Sequence, residues 1–176
     1  MKIETLGPDV TAEDCAALAE VLTECVEGGA SLGFMSPVPR AEVETYWKKV
    51  TAELAGGART ILVVREADGK IIGTAQLAAE TRANGRHRAE VQKVLVRPTH
   101  RRRGLARRLM AEVEARARTR GITLLFLDTS EGRSGAQALY EQLGYTYAGG
   151  IPGYALDPDG TPAKNAIYFK NLRADL

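Results

Sequence analysis

The sequence predicts an α/β protein, built as one domain over residues 1–176, in which a mixed, mostly antiparallel sheet of about seven strands is flanked by about four helices. Three features of the chain predict this layered architecture. Two apolar strands meet at the tight turn Ala67-Asp68-Gly69, which is typical of an antiparallel hairpin. A strand, a glycine-bearing basic loop and an amphipathic helix follow one another over 94–120. The continuous apolar run Ile122–Leu127 is typical of a central strand covered on both faces.

The first third of the chain predicts a short strand and two helices. Residues 2–6 are expected to form a short edge strand. Thr11, with Asp14 three residues later, predicts a capped helix start, and Gly28-Gly29 marks the end of that helix. A second helix is expected over 40–55, because Gly56-Gly57 stops its apolar stripe.

The remainder of the chain alternates strands with two further helices. The strands on either side of the helix at 104–120 should be parallel, since a crossover helix joins them. The loop over 151–164 is expected to contain a tight turn at Asp157-Pro158-Asp159-Gly160. The remaining predicted elements are strands at 60–65, 70–79, 88–96, 145–148 and 165–170, and helices at 104–120 and 136–143.

Composition excludes several classes of protein. Apolar residues make up 44% and charged residues 26%, which are ordinary values for a globular domain. The net charge of +2 gives no argument for a nucleic-acid partner, although basic residues are dense over 97–108. No apolar run is long enough to span a membrane, and the N-terminus lacks the basic-then-apolar order of a signal peptide.

The cysteines and histidines predict neither a disulfide nor a metal site. Cys15 and Cys25 lie on one predicted helix, about 15 Å apart at 1.5 Å per residue, which is too far for a disulfide. His87 and His100 are the only histidines, and neither lies near a cysteine in the sequence. We therefore expect a cytoplasmic protein without a metal cofactor.

The segment after Val96 predicts an anion-binding loop. Pro98 ends the strand, and Gly104 precedes a helix with an apolar stripe. The first amides of a helix have no intrahelical partner and lie at the positive end of its dipole. Gly104 lets a pyrophosphate approach the backbone, and guanidinium groups can bind phosphate oxygens in pairs. The basic side chains of this loop are Arg101, Arg102 and Arg103.

The spacing Arg101-x-x-Gly104-x-Ala106 resembles the coenzyme A signature of the GNAT N-acetyltransferase superfamily. A later segment, Leu139-Tyr140-Glu141-x-Leu143-Gly144-Tyr145, resembles a second motif of that family. The predicted order of elements is also that of the GNAT fold. The resemblance implies an N-acetyltransferase with acetyl-CoA as cosubstrate. Five further stretches resemble the tabtoxin resistance subgroup, which acetylates tabtoxinine-β-lactam: Gly28–Met35, Ala89–Lys93, Leu127–Thr129, Pro152–Tyr154 and Ala166–Lys170.

The resemblance also implies the catalytic residues. Glu90 lies eleven residues before Arg101, the spacing of the glutamate that is the general base in some GNAT enzymes. Asp128 is the second carboxylate expected beside the acceptor, either sharing the proton transfer or only orienting the amine. Tyr140 corresponds to the tyrosine that protonates the departing thiolate. Many members carry asparagine seven residues before this tyrosine, where this chain has Arg133.

The remaining site residues are expected to bind the two substrates. The open strand edge at Leu95 and Val96 should pair with the pantetheine arm. Ser31 and Phe34, in the loop between the first two helices, are expected to contact the acceptor, although Phe34 could instead pack in the core. The acceptor is expected to contact Ser31, Phe34, Glu90 and Asp128, and the cofactor Leu95, Val96, Arg101, Arg102, Arg103, Gly104, Leu105 and Ala106.

Three functions agree with these features. The first is an acetyl-CoA-dependent N-acetyltransferase of a small amine, such as an amino-acid-like toxin or antibiotic, acting as a monomer or homodimer. The second is acetylation of a protein N-terminus or lysine, for which the loop 28–39 would have to leave an open groove. The third is a silent acyl-CoA sensor or a basic nucleic-acid binder. Glu90, Asp128 and Tyr140 together argue against a silent module, and the arginines lack the interleaved aromatic residues of a nucleic-acid reader.

Overall fold

A computed structural model describes residues 1–131 and 135–173. Within these ranges there are four α-helices and nine strands, and apart from the short strands β7 and β8 they follow one another in the predicted order. The helices are α1 (Ala12–Glu27), α2 (Arg40–Ala52), α3 (Leu105–Thr119) and α4 (Ala136–Gln142). The strands are β1 (Lys2–Thr5), β2 (Arg59–Arg65), β3 (Ile71–Ala79), β4 (Arg88–Val96), β5 (Leu124–Ser130), β6 (Thr146–Gly149), β7 (Ala155–Leu156), β8 (Pro162–Ala163) and β9 (Asn165–Asn171).

The main sheet has seven strands in the order β1-β2-β3-β4-β5-β9-β6 within the described part of the chain. Its neighbouring strands run antiparallel except for β4 and β5, which are parallel and are connected through α3. This arrangement confirms the predicted mixed, mostly antiparallel sheet. The short strands β7 and β8 form a separate hairpin around the predicted turn at 157–160, which the sequence patterns did not indicate as strands.

The helices cover opposite faces of the sheet, with one apolar core under each pair. α1 and α2 pack on one face, where Trp47 is the largest fully buried side chain. α3 and α4 pack on the other, around Leu109 and Met110. The start of α1 carries the expected cap, because the Thr11 side chain accepts from the Asp14 amide and Asp14 returns a bond to the Thr11 amide.

Two predicted elements have different bounds in the structure. α2 ends at Ala52, before the two glycines that were expected to stop it. β5 spans Leu124–Ser130 and is not covered on both faces, since Leu125 and Leu127 are buried while Phe126 is half-buried and Asp128 is exposed. The physical reason is that α1 and α2 cover the β2–β4 side of their face and leave β5 partly open.

Candidate active site

A gap opens between the two parallel strands at the centre of the sheet. β4 pairs with β5 only where Arg88–Glu90 meet Leu124–Phe126. Beyond these residues the two strands are no longer paired with each other within the described chain. On its other side β4 carries a bulge, because its register with β3 shifts between Thr74 and Gln76.

The backbone of Val96 faces this gap. The Arg97 amide donates to the Ile72 carbonyl oxygen across the β3 ladder at 2.9 Å. Hydrogen-bonded and non-bonded pairs alternate in an antiparallel ladder, so the Leu95 groups face β3 and the Val96 groups face away. The Val96 carbonyl accordingly accepts from Cys25 Sγ at 3.5 Å and Arg101 Nε at 3.4 Å. In this register the backbone groups of Val96, and not those of Leu95, face the gap, and binding of the cofactor at these two residues stays a prediction.

The loop between β4 and α3 presents unpaired amides. Gly104 is the N-cap of α3 with a φ of 74°, and no side chain caps the helix. The first helical bond runs from the Arg108 amide to the Gly104 carbonyl at 3.1 Å. The amides of Leu105, Ala106 and Arg107 consequently have no intrahelical acceptor. A Cβ built on Gly104 would meet no atom within 4 Å, so there is space for a ligand beside it.

The three predicted arginines surround this helix start and are exposed. Arg101 reaches back to the end of β4, and Arg103 Nη2 donates to the Thr99 carbonyl at 3.5 Å. Arg102 has a φ of 63°, an uncommon backbone conformation for a residue with a side chain. The loop therefore combines positive charge with free amides, as a pyrophosphate site requires.

Arg97 is a structural residue of this loop that the sequence analysis did not single out. It is 4% exposed, and its Nε donates to the Ile71 carbonyl at 3.0 Å. Its remaining nitrogens bind Glu20, at 2.7 Å, and Glu24 on α1. Arg97 thereby ties the end of β4 to α1. The pairing partners lie more than 70 residues away, so no local pattern indicated it.

Glu90 and Asp128 lie on the same face of the sheet, on adjacent strands. Glu90 pairs with Phe126, and Asp128 follows Phe126 by two residues, which returns it to the same face. Asp128 is exposed as a residue, but partial desolvation of its carboxyl raises the pKa of this group, against the opposing effect of hydrogen bonds from the Asn165 side chain and the Thr129 amide. Asn165 also accepts from the Ile151 amide at 2.7 Å, so it holds Asp128 against the segment after β6.

Tyr140 lies on the opposite face, in the core under α4. Its ring is 6.0 Å from that of Tyr145 and 6.1 Å from that of Tyr168, and the residue is 7% exposed. Burial raises the pKa of Tyr140 to about 12. The hydroxyl therefore stays protonated at physiological pH.

The loop 28–39 is connected to the β7–β8 hairpin. The Ser36 amide donates to the Pro158 carbonyl at 3.0 Å, and Ser31 Oγ lies 3.5 Å from the Leu156 carbonyl. This loop starts at Gly28, which lies beside Pro98 after β4. The hairpin, in turn, lies beside the end of β5, because Ser130 Oγ donates to Asp157 at 3.3 Å. These contacts form a bridge between loop 28–39 and the β7–β8 hairpin, and this bridge spans the ends of β4 and β5.

Phe34 was expected either to contact the acceptor or to pack in the core. It is half-buried and packs against the α1–α2 core, with its ring edge-on to Tyr46 at 5.8 Å. The Tyr46 hydroxyl exchanges a hydrogen bond with Gln76 at 2.9–3.2 Å. Gln76 and Gln92 both accept from Arg59. This polar network beside Glu90 was not predicted, since its residues come from α2 and three strands.

Metal-binding groups and membrane-spanning helices are absent from the described residues. Among residues 1–131 and 135–173, no group of three or more histidine, cysteine or carboxylate side chains is placed to bind a metal. Within the same ranges, no helix is both long and apolar enough to cross a bilayer. Arg133, at the position where many relatives carry asparagine, lies outside the described residues.

Known proteins resemble this chain in sequence or in fold. The chain is 37% identical, over 67% of its length and 69% of the relative, to an uncharacterized N-acetyltransferase from the hisH-hisA intergenic region of Azospirillum brasilense. Its fold resembles a phosphinothricin acetyltransferase of Sinorhizobium meliloti solved with acetyl-CoA, with a TM-score of 0.77 at 20% identity, covering 97% of this chain and 89% of that one.

It also resembles a ribosomal-protein-alanine N-acetyltransferase of Brucella melitensis, with a TM-score of 0.76 at 22% identity over 97% of this chain and 99% of the other. The sequence profile of the acetyltransferase (GNAT) family matches residues 23–145. The chain is therefore a member of the GNAT family of acetyl-CoA-dependent N-acetyltransferases.

Proposed function

We propose that this enzyme acetylates the primary amine of a small, amino-acid-like molecule, with Glu90 as general base and Tyr140 as general acid. The observation that carries the proposal is the bridge between loop 28–39 and the β7–β8 hairpin, held by Ser36 and Pro158 at 3.0 Å. The bridge closes the side of the gap on which we place the acceptor. A protein substrate would need an open groove there. The tabtoxin-like stretches support an acceptor such as tabtoxinine-β-lactam.

The residues present fit acetyl-CoA. The free amides at the start of α3 and the exposed side chains of Arg102 and Arg103 would bind its pyrophosphate. The backbone of Val96 would pair with the pantetheine arm. When bound, acetyl-CoA supplies the acetyl group as a thioester.

The proposed base and the proposed acid act from different faces of the sheet. An α-amine with a pKa near 8 costs about 1 kcal/mol to deprotonate at pH 7, and a lysine about 4–5 kcal/mol. On the α2 face, the Glu90 carboxylate takes this proton from the acceptor nitrogen, and Asp128 orients the ammonium beside it. The freed amine would then form a bond to the thioester carbon while the C–S bond breaks, and on the α4 face the Tyr140 hydroxyl would give its proton to the departing sulfur. The base and the acid thus act from opposite sides of one gap.

Release of free thiol from acetyl-CoA, measured across amino acids, polyamines and peptides, tests this proposal. Glu90→Gln should lower the maximal rate by about two to four orders of magnitude, the usual contribution of a positioned base. The deficit should shrink at high pH, where the free amine already exists. Glu42→Gln, an exposed glutamate of α2, controls for the loss of one negative charge.

Two results would contradict the proposal. Faster turnover of peptides than of free amino acids would indicate a protein acceptor. A Glu90→Gln enzyme within about threefold of the wild-type rate, with chemistry rate-limiting, would remove Glu90 from the mechanism.

We also propose that the enzyme works in a reducing cytoplasm, which the free thiols of Cys15 and Cys25 support.

A further inference from the structure

Lys93 lies on the acceptor face because of the bulge in β4. It follows Glu90 by three residues, so a regular strand would put the two side chains on opposite faces. Lys93 instead has a φ of 48°, at the point where the register with β3 shifts. Such a bulge redirects a side chain. The Lys93 ammonium consequently lies 5.4 Å from the ring centroid of Tyr46 on α2, on the same side of the sheet as Glu90.

The charge of Lys93 has no anionic partner in direct contact. Within residues 1–131 and 135–173, its ammonium forms no salt bridge and donates no hydrogen bond. Burial lowers the pKa of Lys93, an effect that Glu90 opposes and Arg59 reinforces. Arg59 itself is compensated, since its Nε and Nη2 donate to Glu53 at 2.9 and 2.7 Å. Lys93 is half-buried. A partly desolvated cation without an anion costs free energy, so this position favours a negatively charged ligand.

We infer that Lys93 binds a carboxylate of the acceptor, which makes the acceptor a free amino acid; this inference rests on the proposed function. An amino acid carries its ammonium and its carboxylate on neighbouring atoms. Glu90 and Asp128 suit the first group, and Lys93 suits the second. The rings of Phe34 and Tyr46 add apolar surface beside them for an amino-acid side chain.

The inference is tested by comparing amino acids with their own amides, which keep the amine and the side chain but lose the negative charge. Rates are expressed per concentration of free amine, because the two amines differ in pKa. The wild-type enzyme should prefer the acid by about tenfold or more in kcat/KM, as a charge-assisted hydrogen bond predicts. Lys93→Gln should lose this preference through a higher KM for the acid, with the amide changed by less than about threefold.

Two variants serve as controls. Lys93→Arg keeps the positive charge and should keep the preference for the acid. Lys48→Gln removes an exposed lysine of α2, with the same change in net charge, and should leave the preference intact. An unchanged melting temperature and an unchanged response to acetyl-CoA would show that Lys93→Gln is folded.

The outcomes separate this inference from the proposed function. Equal acetylation of acids and amides by the wild type overturns the inference and leaves the proposed function standing. The same holds if Lys93→Gln still prefers the acid, in which case Lys93 only packs against Tyr46. If neither acids nor amides are acetylated, the proposed function itself fails, and the inference fails with it. If Lys93→Gln does not fold, the wild-type comparison still decides whether the carboxylate is recognised, and Lys93→Met, which keeps the apolar stem, replaces Lys93→Gln as the test of the residue.

Discussion

Gly104 offers the most direct test of whether the loop between β4 and α3 binds the pyrophosphate. Gly104 and Gly121 stand at the two ends of α3, with φ angles of 74° and 71°. A Cβ on either glycine would meet no atom within 4 Å. Alanine in the left-handed region costs about 1–2 kcal/mol, so both Gly104→Ala and Gly121→Ala should destabilise the apo enzyme to the same extent. For a chain of 176 residues we expect both to lower the melting temperature by about 2–8 °C.

Acetyl-CoA should distinguish the two variants. At about 100 times its Kd, a ligand stabilises the folded state by about 2.7 kcal/mol, which corresponds to about 5–11 °C for a protein of this size. The methyl group of Gly104→Ala would occupy the space that we assign to the pyrophosphate. A tenfold weaker Kd would remove about 1.4 kcal/mol of this gain. Gly121→Ala, about 25 Å away along the helix, should keep the full shift.

Differential scanning fluorimetry with and without acetyl-CoA measures both effects. Gly104→Glu should abolish the shift altogether, because its carboxylate would repel the phosphates. The reasoning is refuted if Gly104→Ala and Gly121→Ala respond equally to acetyl-CoA, or if the shift survives in Gly104→Glu. Either result would place the pyrophosphate away from the start of α3.

The remaining predictions concern Tyr140 and Asp128, for which we propose roles in catalysis. Tyr140→Phe should lower kcat by about a hundredfold or more without changing the Kd for acetyl-CoA, because only the hydroxyl is lost. Since burial raises the pKa of Tyr140 to about 12, wild-type activity should not decline through ionisation of this tyrosine below about pH 10. An equal loss of affinity and turnover in Tyr140→Phe would indicate a packing role. Asp128→Asn should raise the melting temperature slightly at pH 7, because a carboxyl whose pKa is raised in the folded state destabilises the fold above that pKa. This gain should vanish below about pH 4, where Asp128 is protonated in both states, and solvent exposure keeps it small. A destabilised Asp128→Asn at pH 7 would contradict the reasoning. A higher KM in this variant indicates orientation of the ammonium, and a lower kcat indicates a part in proton transfer.

Signals within a few residues of each other were sufficient to predict the order of the four helices and of the seven strands of the main sheet. The cap at Thr11 depends on a partner three residues away. The hairpin between β2 and β3 depends on the few residues of the tight turn that ends at Gly69. The start of α3 after Gly104 also follows from local backbone chemistry. Each of these features is decided by hydrogen bonds and backbone preferences within one turn of chain, which the sequence displays directly.

Contacts between distant segments decided the rest of the candidate site. Nothing in the run Gln92-Lys93-Val94 indicates a bulge, yet the bulge redirects Lys93 and sets which backbone groups of β4 face the gap. The bridge from Ser36 to Pro158 joins segments more than 100 residues apart. Strand register and the face that a side chain occupies depend on the pairing partner as well as on the strand itself. A sequence pattern therefore predicts that a strand forms, whereas the tertiary structure decides where its side chains point.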